Sequence, residues 1–286
     1  MKAGIRSVLV IALSLATRGL ASDADTKYSE LLDRDDALMQ QLGSSSVQRS
    51  ILRQAEVRAK LRRLEADYRF FIYEHPQDAD ALVSFGGFLY DQGREEEGLQ
   101  FWQRAITVDP HCAKAYNNLA VDYGHNGRAA DALRYHQKAI ELDPSDPIFR
   151  FNWATTCVLF RKDAHEVYGW DTDQIFEHGL EEFRKARDLE PQNVEYAWAY
   201  AQTFYQVNKP DWQQAYAAWQ FCLNQQVDEV GRERVYSQLA RVCLRWGRLD
   251  EARSWLEKIT SDDVLPMRRV LERRLAESGG AVQKEH

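Results

Sequence analysis

The sequence predicts an all-α chain: a solenoid of stacked helix pairs closed by capping helices at both ends. Three observations carry that expectation. Pro76, Pro110 and Pro144 stand 34 residues apart. Between them, large and small apolar residues recur at helical rather than alternating spacing. The 286 residues also hold 15 Gly and 7 Pro against 8 Trp, 13 Tyr and 12 Phe. Few breakers and many bulky side chains favour helices packed on helices.

In chain order, the first element is a targeting segment over residues 1–21. Lys2 and Arg6 make a positive start, Ser7 to Ala16 is a short apolar run, and Gly19-Leu20-Ala21 offers small residues to a signal peptidase. The apolar run is too short to span a bilayer, which needs about 20 residues. Cleavage after Ala21 is expected, with an uncleaved anchor as the rival reading. It removes Lys2, Arg6 and Arg18 and no acid, so net charge moves from −7 to −10. An exported chain without a stable membrane span follows, periplasmic or secreted. Its acidity argues against nucleic acid and against anionic membrane surfaces as partners.

Residues 22–46 read as an amphipathic helix followed by the linker-like GSSS at 43–46. Residues 47–78 read as a long helix, a half-repeat capping the array, with Tyr68 and Phe71 as core residues. The repeats then occupy residues 79–264 in five units. The first, 79–112, carries Leu82, Phe85-Gly86, Leu89, Gly93, Gly98, Trp102 and Ala105. The second, 113–146, repeats those classes as Tyr116, Leu119-Ala120, Tyr123, Gly127, Ala132, His136 and Ala139, with His136 alone out of class. The third, 147–193, holds Trp153-Ala154, Cys157, Gly179, Phe183 and Ala186, interrupted by an insertion at 162–174. The fourth, 194–229, and the fifth, 233–264, keep the pattern through Trp219, Cys222, Leu239-Ala240 and Leu256. Residues 265–277 read as a closing helix, and 278–286 as a disordered tail.

The stretch AYNNLAVDYGHNGRAADALRYHQKAIELDP resembles the tetratricopeptide repeat. That resemblance implies a right-handed superhelix whose concave groove is lined by the first helix of each unit. Carried onto this chain, the groove positions give Val83, Tyr90, Lys114, Asn117, Asn118, His125, Phe151, Asn152 and Thr155. They continue with Trp198, Gln202, Tyr205, Gln206, Arg234, Gln238, Arg241 and Arg245. The favoured set for binding a peptide is Tyr90, Asn117, Asn118, Phe151, Asn152, Trp198, Gln202, Tyr205 and Arg241. Amides donate and accept together, which suits an extended backbone, and Tyr and Trp supply rigid contact area. About half of these residues are equally well read as packing. Chaperone-binding members of the family grip a carboxylate with a basic residue at the fifth position. This chain has Val83, Asn117 and Phe151 there, so that clamp is incomplete.

No GxSxG, phosphate-cradling loop or HExxH occurs, and the seven histidines are scattered. No catalytic residues and no cofactor are expected. In the insertion, His165, Glu166, Asp171, Asp173, Glu177 and His178 are metal-capable, but Asp171 and Gln174 are better explained as a helix start. No metal is expected, and the insertion reads as a lengthened first helix plus an exposed loop. Its Tyr168 and Trp170 would touch a partner or tuck against the repeats. Cys112, Cys157, Cys222 and Cys243 form no CxxC pair; Cys157, Cys222 and Cys243 fall on core-facing positions and read as buried thiols, with a Cys222–Cys243 disulfide left open. The functional expectation is a non-catalytic scaffold for a protein or peptide partner in envelope or secretion-related assembly. Its rivals are an enzyme with a site in the 162–174 insertion and a self-associating structural element. Oligomeric state stays open.

Overall fold

A computed structural model of the chain describes residues 23–43, 51–225 and 228–282. The expected targeting segment, residues 1–21, and most of the GSSS linker lie outside them. Fourteen helices are formed among the described residues. The chain divides into two compact units, residues 1–81 and 82–286.

In the first unit, α1 (Asp23–Gly43) packs against α2 (Ile51–Glu74). Tyr68 is fully buried and donates its hydroxyl to Asp35 Oδ2 at 2.6 Å. Arg34 and Asp67 pair at 2.6 Å beside it, and Tyr28 meets the Phe71 ring at 5.4 Å. The polar tip of Tyr68 is thus satisfied while its ring fills the seam.

The second unit is a run of helix pairs: α3 (Ala79–Asp91) with α4 (Glu95–Val108), then α5 (Ala113–His125) with α6 (Ala129–Leu142). Next come α7 (Pro147–Leu159), α8 (Arg161–Tyr168) and α9 (Thr172–Leu189), then α10 (Val194–Thr203) with α11 (Trp212–Leu223). The last are α12 (Glu229–Trp246), α13 (Leu249–Glu257) and α14 (Leu265–Val282). Small residues set how closely helices pair. A Cβ on Gly98 would lie 2.7 Å from the Gly86 carbonyl oxygen, so α3 and α4 meet backbone to backbone. Trp102 lies across this contact and donates its indole N–H to Val83 O at 3.1 Å. Ala120, Ala132 and Ala139 are fully buried at the α5–α6 contact.

First helices end by a shared device. Gly93, Gly127 and Gly247 take φ of +75, +75 and +80°. The following amides, of Arg94, Arg128 and Arg248, then bond back to Leu89 O, Tyr123 O and Cys243 O at 2.8–3.0 Å. Helix starts use Asp: Asp146 accepts from Ile148 N at 2.9 Å ahead of Pro147, and Asp211 accepts from Gln213 N and Gln214 N. The core runs continuously from Leu133 to Val242 through Trp153, Phe183, Phe204 and Trp219, and on through Cys243, Leu256 and Leu271. All four cysteines are free and buried. Burial pushes the Cys222 thiol up to about 12 and that of Cys243 to about 11.

Two expectations need correction. The insertion does not lengthen α7. Phe160 leaves helical geometry (φ −109, ψ 55°), its N–H closing α7 on Thr156 O and its carbonyl opening α8 with Ala164 N. The chain must turn back there because Ala164 is fully buried and Trp153 donates to the Tyr168 hydroxyl at 2.9 Å. At the other end, residues 278–282 belong to α14 rather than to a disordered tail. The Gly279-Gly280 pair weakens a helix by about 1 kcal/mol per residue but removes no N–H, so the ladder continues. No described helix is long and apolar enough to cross a membrane.

Candidate functional site

The face carried by α3, α5, α7, α10 and α12 holds the favoured binding residues, with Tyr205 in the turn just after α10, and two different situations occur along it. At its N-terminal end the polar groups bond to one another. Tyr90 stacks on Trp102 with centroids 5.1 Å apart and donates to Asp122 Oδ1 at 3.2 Å. The same oxygen accepts from Asn126 Nδ2 at 2.9 Å. Burial first, and the Asp122 carboxylate second, push the Tyr90 hydroxyl well above its ordinary pKa.

Asn117 is buried, and its Oδ1 accepts from Asn152 Nδ2 at 3.0 Å. His136 Nδ1 lies 3.1 Å from that oxygen. Because Asn117 presents an acceptor, His136 carries its proton on Nδ1. Complete burial holds this imidazole neutral, its pKa pushed down to about 3. Asn118 is buried beside this chain at 8% exposure. Phe151 is half-buried and packs on Phe183 at 5.6 Å and Tyr196 at 4.8 Å, which makes it a joint between α7, α9 and α10. Asp122, Asn126 and His136 were not among the predicted binding residues. For Asp122 and His136 the signal was polarity at positions the helical pattern assigns to the core; Asn126 stands in the turn after α5.

The C-terminal end is different. Trp198 is half-buried on α10, edge-on to Trp219 at 5.1 Å. The Nε1 donors of both indoles are buried with no protein acceptor. Tyr205 donates to Gln238 O at 3.2 Å, and the Arg241 guanidinium sits 4.0 Å from its ring centroid. Gln202 is exposed in the next turn. Burial raises the pKa of Tyr205, while Arg241 and Arg245 pull it the other way.

The insertion residues have local tasks. Asp171 and Gln174 form a capping box at the start of α9, with bonds of 2.9 and 3.0 Å. His165 Nδ1 meets Trp170 O at 2.8 Å. Tyr168, Trp170 and His178 stack in a column at 4.4 and 3.9 Å. Tyr168 and Trp170 therefore lie against the repeats instead of projecting. Among the described residues no three His, Cys, Asp or Glu side chains gather in a metal-holding group.

A family model of the tetratricopeptide repeat matches residues 113–146, and a second matches residues 233–261. Hsp70-Hsp90 organizing protein 1 of Glycine max is 36% identical over 73 residues, 26% of this chain and 13% of that protein. Type IV pilus assembly protein PilF of Pseudomonas aeruginosa is 29% identical over 100 residues, 34% of this chain and 39% of that protein. The chain thus aligns with well under half the length of either relative. Among solved structures, YrrB, described as a TPR protein with an unusual peptide-binding site, superposes with a TM-score of 0.57 at 16% identity. That match covers 72% of this chain and 97% of YrrB. The chain therefore carries tetratricopeptide repeats, at 113–146 and 233–261, within the all-helical solenoid fold of that repeat class.

Proposed function

We propose that the chain is a non-catalytic, exported scaffold that holds an extended segment of another polypeptide along the face of its first helices. One observation carries the reading. Trp198, Tyr205 and Arg241 are only half-buried and stand beside exposed Gln202, so rigid aromatic area and polar groups meet at the surface. The relatives support a role in assembly: one is a pilus assembly protein, another an organizing protein, and YrrB is described as having an unusual peptide-binding site. The basic and apolar run at residues 1–21 and the pilus-assembly relative support placement in the cell envelope.

The test begins with crosslinking of the full chain in its own envelope, with partners identified by mass spectrometry. Trp198→Ala or Tyr205→Ala should then weaken capture of that partner at least tenfold, about 1.4 kcal/mol, with the helical circular dichroism unchanged. Asn118→Ala should weaken it less, since a neutral hydrogen bond contributes about 0.5–1.5 kcal/mol. Unchanged capture by the Trp198 and Tyr205 variants, with loss in Trp170→Ala, would move recognition to the insertion and end the groove reading.

A further inference from the structure

The insertion at 162–174 encloses a cavity that the plain repeat pattern would not form. Its helix α8 lies against α6, the second helix of the preceding unit, with Ala164 fully buried in the contact. Tyr168 ties the two units together: its hydroxyl accepts from Trp153 Nε1 at 2.9 Å and donates to Leu133 O at 3.3 Å. Trp170 stacks on Tyr168 at 4.4 Å and on His178 at 3.9 Å, and the Trp153 ring stands nearly perpendicular to it at 6.0 Å. These four rings and α6 line a cavity of about 350 Å³. That volume lies within the range of small-ligand sites, about 300–1,000 Å³.

The charged part of the lining has one sign. Glu141 of α6 and Glu182 of α9 reach the cavity, and no lysine or arginine lines it. Arg150 and Lys185 engage Glu182 at 2.6 and 2.7 Å, one on each oxygen, which fixes that carboxylate in place. Glu141 is exposed, and its neighbours stand farther off, with Gln137 Nε2 at 3.2 Å and Lys138 Nζ at 3.5 Å. An exposed pair of that length contributes little, so Glu141 keeps its charge for a ligand. An anion in the cavity would face both carboxylates. A neutral apolar group would strip water from them without compensation. A cation gains from the carboxylates and from the electron-rich ring faces together.

We infer that this cavity binds an alkylammonium group, carried by a small amine or by a lysine side chain, with Glu141 as counter-charge and Tyr168 and Trp170 as aromatic wall. Apart from Trp153, its lining comes from α6, α8, α9 and the turn before α9. It is therefore a second site, separate from the Trp198 and Tyr205 cluster, and it holds whether or not that cluster grips a polypeptide.

The probes are choline, its neutral carbon isostere dimethylbutanol, and Nα-acetyl-lysine methylamide. Each is titrated into the full chain at constant ionic strength while the tryptophan indole N–H signals are followed by nuclear magnetic resonance. Choline should shift the Trp153 and Trp170 signals saturably in the millimolar range, about tenfold more tightly than dimethylbutanol. Glu141→Gln, a change at an exposed position, should remove most of that preference and leave dimethylbutanol within about twofold, with melting unchanged. Trp170→Leu keeps apolar bulk and should weaken choline more than dimethylbutanol. Trp198→Ala should leave choline binding as it is, which keeps this site distinct from the groove. Competition by the lysine derivative assigns the ammonium to a polypeptide side chain, and binding of choline alone assigns it to a small amine; both support the inference. Equal affinity for choline and dimethylbutanol, no saturation at tens of millimolar, or a Glu141→Gln protein that keeps the full preference overturns it. Saturable shifts confined to tryptophans other than Trp153 and Trp170 overturn it as well.

Discussion

The first three repeat units and the fourth and fifth present the same kind of helix to the same face, yet their polar groups differ in how fully they are matched. From Tyr90 to Asn152 the donors and acceptors close on one another: Tyr90 and Asn126 on Asp122, His136 and Asn152 on Asn117. From Trp198 to Arg245 fewer groups are matched: Tyr205 donates to Gln238 O, while the Trp198 and Trp219 indole N–H groups are buried without a hydrogen-bond acceptor. A satisfied buried network rigidifies the units it joins, because leaving one member unpaired is costly. An unpaired charge near the surface contributes little to the fold and is available to a ligand. The N-terminal network therefore ties neighbouring units together, and the C-terminal part is where the proposed recognition lies.

The sharpest way to break this contrast is to cut the closed network. Asn117→Leu would leave the His136 N–H and the Asn152 amide without their acceptor. Each unsatisfied buried group costs about 1–3 kcal/mol, so a loss of about 3 kcal/mol is expected in urea denaturation. A loss under 1 kcal/mol would show that the network is not structural. Second in size is a pH effect. The folded pKa of His136, about 3, lies below its unfolded value of 6.5, so protons favour the unfolded chain. Its contribution is complete above pH 6.5 and is lost as pH falls toward 3. Stability should drop by about 2 kcal/mol between pH 7.5 and 5 from this group, and His136→Gln should flatten that slope. A slope identical in the two proteins would place the acid sensitivity elsewhere. Smallest is the control at the open end: Arg245→Ala should change stability by no more than about 0.5 kcal/mol. A larger loss in the same denaturation assay would mean that Arg245 supports the fold.

How far the site was legible before the structure varied residue by residue. Trp198, Tyr205 and Arg241 could be named because the repeat register places them on the first-helix face. Asn117 could be named on the same ground, but its burial and its bond to His136 could not. That contact spans 19 residues between two helices and depends on where both side chains point. Asp122 was passed over because an acid within a run that reads as core gives no sign of its partners: Tyr90 lies on another helix, and Asn126, four residues on, stands in the turn after α5. The insertion failed for the same kind of reason. Its composition allows a longer α7, and only the pull of Tyr168 toward Trp153 and Leu133 O decides for a break at Phe160.

What the sequence by itself determined is the repeating part of the molecule. Spacing of 34 residues, alanine and glycine where helices meet, glycine after first helices and aspartate before several others each act within one helix pair, where chain connectivity already holds the partners close. What only the tertiary structure decided is which polar groups find each other and which are left over. The carboxylate that neutralises Arg150 is 32 residues away, and Tyr90 and Asn117 find their partners 32 and 35 residues along. Such pairings depend on the distance and orientation between neighbouring units, quantities set by packing of the whole stack. The same packing leaves the Trp198 and Trp219 indole N–H groups buried without a protein acceptor, a fact that composition, net charge and repeat register cannot express.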